Sequence, residues 1–432
     1  MQKLNTKKNS INNIIYKDSF NKTNIRVVAT IPILLITGPF LSDLVVSISS
    51  LFFLFFAIKN KNFYYFNKYP FILFCIFCIV CIFSSLLSEN ILHSFESSLF
   101  YFRIGIFSCL IWYLADVDKS IFKHFYIVLI LCFSTLVIDG YSQFFFEKNI
   151  LGYGIADGSR IASLFGEEQV LGSYLSRLFP LLFAFFLMNK HKKFELYLIG
   201  ILFILADVLI YLSSERTAFF FLNLSTIFII FFIKKYKIFR LITFLTALAL
   251  ITFITFNNEK IQHRMIKGPA DGMGLFNESV KMNIFSEAHD SLIRTSLKMF
   301  LDKPIFGHGP KMFRIICKES RYQAGIHPCD THPHNFYVQL LAETGIIGFS
   351  FFFIVFCYVL YCSFRQFMSI LHNKKDRFLT DYQVCLLAGI LITVWPFSPN
   401  GSFFNNWLII IYSLPFGFYL QSVYSTSKRN SK

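Results

Sequence analysis

The sequence predicts an all-α integral membrane protein with about twelve spanning helices and one large loop on one side. Three observations predict it: composition, the length of the apolar runs, and the placement of positive charge. Hydrophobic residues make up 55% of the 432 residues and aromatics 19%, and mean hydropathy is positive, well outside the range of soluble domains.

A formal charge of +16 would ordinarily suggest a nucleic-acid partner. Its placement excludes that reading. Basic residues cluster between apolar runs, from Lys3 to Arg26, at Lys59, Lys61 and Lys68, at Lys119 and Lys123, and at Lys190, Lys192 and Lys193. They recur at Lys234, Lys235, Lys237 and Arg240, at Arg365, Lys374, Lys375 and Arg377, and at Lys428, Arg429 and Lys432. The loops between carry almost none: 89–96 has none, 148–168 has two and 213–216 has one. Every second loop is therefore basic, which is the positive-inside pattern and predicts that both termini are cytoplasmic. The Lys-rich start lacks the apolar core of a signal peptide and reads as a retained cytoplasmic tail over 1–26.

Crossing ~30 Å of hydrocarbon takes ~20 apolar residues. The run 27–58 is too long for one helix, contains Gly38-Pro39 as a turn, and has basic residues at both ends, so it reads as a hairpin of two spans. The remaining spans are 70–87, 98–114, 124–146, 169–188, 194–212, 217–233, 241–256, 345–364, 382–396 and 403–424. Helices one to nine thus occupy 27–256, and ten to twelve occupy 334–424 together with their approach; 425–432 is a second cytoplasmic tail.

Between them lies 257–333, outside by the alternation and long enough to hold a small ordered cap. Gly268, Pro269, Asp271, Gly272 and Gly274 predict an irregular beginning. A helix is predicted over 291–302, with Ile293, Leu297, Phe300 and Leu301 on one face, Arg294 and Lys298 on another, and Lys303-Pro304 ending it. Of the ten cysteines, eight lie in or at the edge of spans, where a thiol serves as a small apolar filler. Cys317 and Cys329 sit together in the loop, and an oxidising compartment would close them into a disulfide; two free thiols are the alternative.

Charge at a membrane is the sharpest functional signal, because an Arg at the bilayer centre costs ~2.5–3.5 kcal/mol on insertion scales. Arg103 falls near the outer end of the fourth span, where function and simple snorkelling are both open. Arg177, inside the sixth, reads as structural. Arg216 stands in Ser213-Ser214-Glu215-Arg216-Thr217, the whole turn between two spans, so its guanidinium belongs at the membrane surface; the alternative is a local pair with Glu215. Arg160 and Arg294 lie on the same side. Guanidinium groups bind phosphate oxygens in bidentate fashion, so a lipid-linked phosphate or diphosphate is the expected ligand.

The densest cluster is His327-Pro328-Cys329-Asp330-Thr331-His332-Pro333-His334-Asn335. Pro333 suits the first turn of a helix, which would place His334 in that turn, where the dipole disfavours the imidazolium. A neutral imidazole can act as a base. The rival reading is a metal site of His327, Cys329, Asp330, His332 and His334. Proline beside two histidines limits the geometry and no second carboxylate cluster completes a cage, so neither metal nor other cofactor is expected.

These residues resemble the O-antigen ligase and polymerase superfamily of bacterial envelope glycosyltransferases. The most specific part is Thr331-His332-Pro333-His334-Asn335 running through Glu343-Thr344-Gly345-Ile346-Ile347-Gly348, similar to the family's His-Asn signature and Gly-x-x-Gly. Arg294 followed by Pro304-Ile305-Phe306-Gly307-His308-Gly309 resembles its Arg segment with Pro-x-x-Gly-x-Gly. Ser214-Glu215-Arg216-Thr217-Ala218 stands where a Ser-Arg-Gly-Ala turn is found, with Thr217 in place of Gly. Arg160 with Leu164-Phe165-Gly166 is a looser match.

The resemblance implies a helical GT-C-like fold with a large periplasmic loop, and transfer of a glycan from undecaprenyl diphosphate, with inversion and without metal, at the periplasmic face of the inner membrane. It implies His334 as base, Arg216 and Arg294 on the diphosphate, and Arg160, Arg103, His332 and Asn335 as contacts to diphosphate or glycan. The acceptor is lipid A-core in a ligase, a second lipid-linked repeat in a polymerase, or a protein side chain. A non-enzymatic polysaccharide transporter is the reading from another class. Against it stand the absence of a broken-helix pair and the concentration of His and Arg in one loop, with Asp139 and Asp207 the only deep carboxylates to watch.

Overall fold

A computed structural model describes residues 20–155, 160–272, 285–372 and 376–425. The basic segment up to residue 19, Gly274, Lys374, Lys375 and the C-terminal Lys428, Arg429 and Lys432 lie outside them. Among the described residues the structure is helical, with no strand beyond one isolated bridge between Lys148 and Gly154.

Among the described residues nine helices are long and apolar enough to cross a membrane. We number the elements α1 (Ile31–Ile36), α2 (Pro39–Lys59), α3 (Tyr69–Leu86), α4 (Ile91–Ser98), α5 (Phe102–Val117), α6 (Ser120–Phe146), α7 (Leu171–Met188), α8 (Lys193–Leu212), α9 (Arg216–Phe232), α10 (Lys237–Asn257), α11 (Glu287–Asp302), α12 (Phe336–Leu371), α13 (Asp381–Thr393) and α14 (Asn406–Tyr424). The nine include α4 and α5 taken as one span. Two more predicted spans, α9 and α13, are apolar but shorter. The twelfth, the first arm of the hairpin, is helical at 20–29 and again over α1 with a turn at Thr30 between, and Gly38 with φ 114° turns the chain into α2 at Pro39.

The bundle has a core helix and a lipid-like exterior. Every residue of α7 from Leu171 to Leu187 is buried except Ser173. By contrast α2, α3 and α10 turn Leu51, Phe55, Ile79 and Phe253 outward, a surface that only an apolar solvent tolerates. α14 packs along α5, α13 along α7, and α10 along α8. All eight free cysteines lie on these helices.

The segment 257–335 is a small cap with its own core. Its beginning is helical rather than irregular, with turns at Glu259–Gln262, His263–Lys267 and Gly268–Gly272; Asn258 caps the first by accepting from Ile261 N at 3.1 Å. The loop helix begins at Glu287, four residues before the predicted 291. Leu292 and Met299 of α11 pack with Met312, Phe313, Ile316 and Tyr322, and Cys317 is disulfide-bonded to Cys329, their Cα atoms 5.2 Å apart. Ala342 of α12 closes this core from the membrane side.

The glycine motifs are explained at that seam. α12 starts at Phe336, not at 345, and is broken at Gly345, where φ is 64°. His308 N donates to Ala342 O at 3.0 Å, Gly309 N to Glu343 O at 2.8 Å, and Ile346 N to Pro304 O at 2.8 Å. Two backbones thus cross in contact. A Cβ at Gly345 would collide with the Ile305 carbonyl, and one at Gly307, φ 67°, with the Glu343 carbonyl. Only glycine supplies both the left-handed conformation and the close approach.

Candidate functional site

The segment before α12 departs from expectation in a way that shapes the site. Pro333 does not open the helix. Asn335 is its N-cap, accepting from Tyr337 N at 2.9 Å and Val338 N at 3.3 Å, while its amide donates to Pro396 O at 2.7 Å. His334 is therefore outside the first turn, with φ 54°, a conformation rare for a residue with a side chain. The reason is competition for the first helical N–H groups: a buried Asn side chain caps them, and the chain must turn sharply to deliver it. Asn335, expected to touch substrate, spends its side chain on this architecture.

The backbone of His334 is held from below. Asn400 N donates to His334 O at 2.7 Å, and Asn400 Oδ1 accepts from Arg177 Nη2 at 3.2 Å. Arg177 also donates from Nε to the Tyr412 hydroxyl at 3.2 Å and lies 4.9 Å from the Phe221 ring. The intramembrane arginine read as structural is thus a support two bonds removed from His334.

The His334 ring stands in a group of histidines. Its centroid is 4.1 Å from that of His332 and 5.6 Å from that of His289 on α11. Its Nε2 lies 3.2 Å from Asp330 Oδ2. A carboxylate only accepts, so the proton belongs on Nε2, and the lone pair is then on Nδ1. Burial raises the Asp330 carboxyl, but the Thr331 N–H and the His334 ring outweigh it and leave the group below the ordinary carboxylate range. Burial and the adjacent His334 push His332 down to about 4. Burial, His334 and Arg216 lower His289. His332 and His289 are accordingly neutral at pH 7.

Arg216 is exposed at the first position of α9, and Arg264 of the cap is its charged neighbour. The local pair with Glu215 does not form. Glu215 Oε1 accepts from Gly172 N at 2.6 Å, and its Oε2 accepts from Ser173 N at 3.0 Å and from the Ser173 hydroxyl at 2.6 Å, so this carboxylate caps α7. Among the described residues Arg216 has neither an ion pair nor a hydrogen bond from its guanidinium. Arg264 Nε is buried without a partner. Arg216 and Arg264 are thus neighbouring cations with no ion pair among the described residues, and Arg216 also acts on His289; a strong anion could answer both charges.

The other predicted arginines are placed differently. Arg294 is 63% exposed and pairs with Asp290 at 2.8 Å on its own helix. Arg103 pairs with Asp43 at 2.7 Å and donates to Phe100 O at 2.8 Å. Arg160 is half-buried next to a segment tied to α6, where Gln143 Oε1 accepts from Ala162 N and Ser163 N and Asp139 accepts from the Ser163 hydroxyl. The single convergence expected from topology is thus narrower: His334, His332, His289, Asp330 and Arg216 come together, with Arg264 beside Arg216. Asp330 entered the sequence reading only as a ligand of the rival metal site, and its pairing with His334 was not foreseen; His289, Arg264, Asn400 and the supporting role of Arg177 escaped that reading altogether. Among the described residues no three His, Cys, Asp or Glu side chains are arranged to hold a metal ion. Asp139 and Asp207 are both engaged within the bundle, Asp207 by Arg240 at 2.8 Å.

Comparison with known proteins gives one match. Residues 199–353 match the model of a family described as O-antigen ligase, a span that runs from α8 through Arg216, the cap and His334 to the first part of α12. No curated protein matches the chain.

Proposed function

We propose that this chain, whose residues 199–353 match the O-antigen ligase family model, transfers a glycan from an undecaprenyl diphosphate carrier to a lipid A-core acceptor at the periplasmic face of the inner membrane. The observation that carries the reading is the Asp330–His334 pair, 3.2 Å apart, beside an Arg216 that has no counter-charge.

Asp330 holds the His334 proton on Nε2, so Nδ1 takes the proton of the acceptor hydroxyl as that oxygen attacks the anomeric carbon. The new glycosidic bond forms on one face while the bond to the diphosphate breaks on the other, which inverts the configuration. The electron pair leaves with the diphosphate. Arg216 and Arg264 meet the charge that grows there, the kind of stabilisation worth most where water is scarce. Arg294 joins them by exchanging its Asp290 pair for phosphate, a cheap exchange because exposed pairs at this spacing contribute only ~0.3–0.5 kcal/mol. Arg177 and Asn400 fix the His334 backbone and touch no substrate.

The test is complementation of a ligase-null strain, reading lipopolysaccharide ladders for wild type, His334→Ala and Arg216→Ala at matched membrane levels. A ladder restored by wild type and lost in both variants is expected. Lengthening of undecaprenyl-linked chains in place of a ladder would make the chain a polymerase, and a ladder that survives His334→Ala would overturn the mechanism.

A further inference from the structure

A polar cavity lies at the end of the bundle opposite His334. Arg216 opens α9, and the cavity lies past the other end of that helix, between the loop 189–192 that joins α7 to α8 and the loop 233–236 that joins α9 to α10. It measures about 490 Å³ and is lined by Leu187, Asn189, Lys190, His191, Lys235 and Tyr236. Aromatic packing fixes its wall. The His191 side chain is 3% exposed, stacks on Phe186 with ring centroids 4.4 Å apart, and donates from Nε2 to Phe186 O at 2.9 Å. The Tyr236 ring rests 4.9 Å from the same phenylalanine.

Among the described residues no carboxylate lines this cavity, and neither the Lys190 nor the Lys235 ammonium forms an ion pair or a hydrogen bond. Lys192, Lys193, Lys234 and Lys237 crowd the same two loops. The nearest carboxylates are engaged by backbone: Asp381 accepts from Lys234 N at 2.9 Å and Lys235 N at 2.8 Å, and Glu195 accepts from Lys192 N at 3.0 Å. So many like charges around one cavity repel unless an anion enters it. An apolar stripe begins directly beside them. α8 and α10 both start at the cavity and pack along one another, so they run parallel. Phe194, Leu198 and Ile201 of α8 and Ile238, Ile242 and Leu245 of α10 recur at i, i+4 and i+7, and all six are exposed. The seam between the helices is marked by Gly200, where a Cβ would lie 3.3 Å from the Phe239 ring and 3.7 Å from Thr243. At 100° per residue that seam puts both rows on the same side of the pair. Unpaired cations above two aligned apolar rows match an amphiphile with a negative head.

We propose that this cavity binds the headgroup of a resident anionic phospholipid, its phosphodiester against Lys190 and Lys235 and its acyl chains along the α8–α10 stripe. The site takes no part in the chemistry at His334, which lies at the other end of the helices. A soluble phosphate would use the cations alone and leave the stripe without a role, so the lipid is the occupant that answers both. The chains gain little from the hydrophobic effect, because the bilayer they leave is equally apolar; the charges supply the preference for this lipid over a zwitterionic one. The placement of basic loops assigns this end to the cytoplasmic leaflet, where anionic lipids are met by basic pockets between helices.

The experiment uses the full chain in phosphatidylcholine nanodiscs with a trace of either phosphatidylglycerol or phosphatidylcholine bearing the same diazirine acyl chain, and labelled peptides are mapped after irradiation. Phosphatidylglycerol is expected to label 194–201 and 238–245 about 25-fold more than phosphatidylcholine, because each of two lysines beside the headgroup contributes about fivefold. Lys190→Gln and Lys235→Gln each lower that labelling about fivefold while the protein elutes as wild type. Lys61→Gln, in a basic loop that does not line the cavity, leaves it unchanged. Equal labelling by the two probes would overturn the proposal, as would a loss in Lys61→Gln equal to that in the cavity variants, which would make the effect one of general surface charge. Displacement of the labelled lipid by equimolar glycerophosphate would make the cavity a soluble-anion site and overturn the lipid as occupant. Labelling needs no transfer activity, so its outcome is independent of the ladder assay.

Discussion

Arg240 and Arg216 sit on adjacent helices and have opposite surroundings. Arg240, on α10, is fully buried, donates to Asp207 at 2.8 and 3.2 Å and to Thr226 at 2.7 Å, and lies 4.2 Å from the Phe179 ring. Arg216, on α9, is exposed, and the carboxylate next to it in sequence has gone to the end of α7. Both would be marked as costly charges in a membrane chain. The first is consumed by the fold and the second is left without an ion pair, so what separates the two is whether the tertiary structure supplies a counter-charge; the proposed binding role of Arg216 rests on that difference.

The sharpest way to break that contrast is to remove one partner of the buried pair. Asp207→Leu leaves Arg240 uncompensated and is expected to cost about 3–5 kcal/mol, read as a fall in thermal midpoint or loss of monodisperse protein in detergent, with Arg240→Met in the same chain recovering most of it. Arg216→Gln should do the reverse, lowering transfer about 10²–10³-fold with the thermal midpoint unchanged. A stability loss at Arg216 would put it among the structural cations.

Asp330→Asn asks whether the carboxylate matters to His334 as an acceptor; a loss of about 10–100-fold in rate, with Kd for the donor unchanged, is expected. The smallest effect is a pH dependence of the cap. The folded value of His332, about 4, lies below the ordinary 6.5, so opening the segment takes up a proton as pH falls below 6.5, and acid favours the open form. Hydrogen exchange around 327–334, divided by the intrinsic amide rate at each pH, should show more frequent opening at pH 5 than at pH 7, and His332→Gln should remove that component.

Much of this was legible because it rests on local chemistry. Span positions followed from apolar length and charged flanks, and eleven of the twelve predicted spans coincide with helices α2 to α10 and α12 to α14, with α4 leading into α5. In the first hairpin arm hydropathy sees the apolar run but not the turn at Thr30 that divides its helix. His334 was assigned to a helical turn on the preference of proline for the first position, and Asn335 won that position instead through its side-chain cap. The convergence of arginines was overestimated for a related reason: topology gives the side of a membrane, while pairing with Asp43 or Asp290 depends on distances that no one-dimensional pattern contains.

The sequence by itself determined the class of the protein, the run of its spans, the cap between α10 and α12, the proximity of Cys317 to Cys329 and the His334 segment, because hydrophobic length, charge placement and nearest-neighbour spacing act along the chain. Only the tertiary structure decided which cation met which carboxylate, that Glu215 would leave Arg216 free of it, that Asp330 would orient His334, and that Gly307 and Gly345 would be needed where two backbones touch. Those outcomes turn on electrostatic and steric contacts between residues far apart in sequence, whose energies change over an ångström and exist only once the helices have packed.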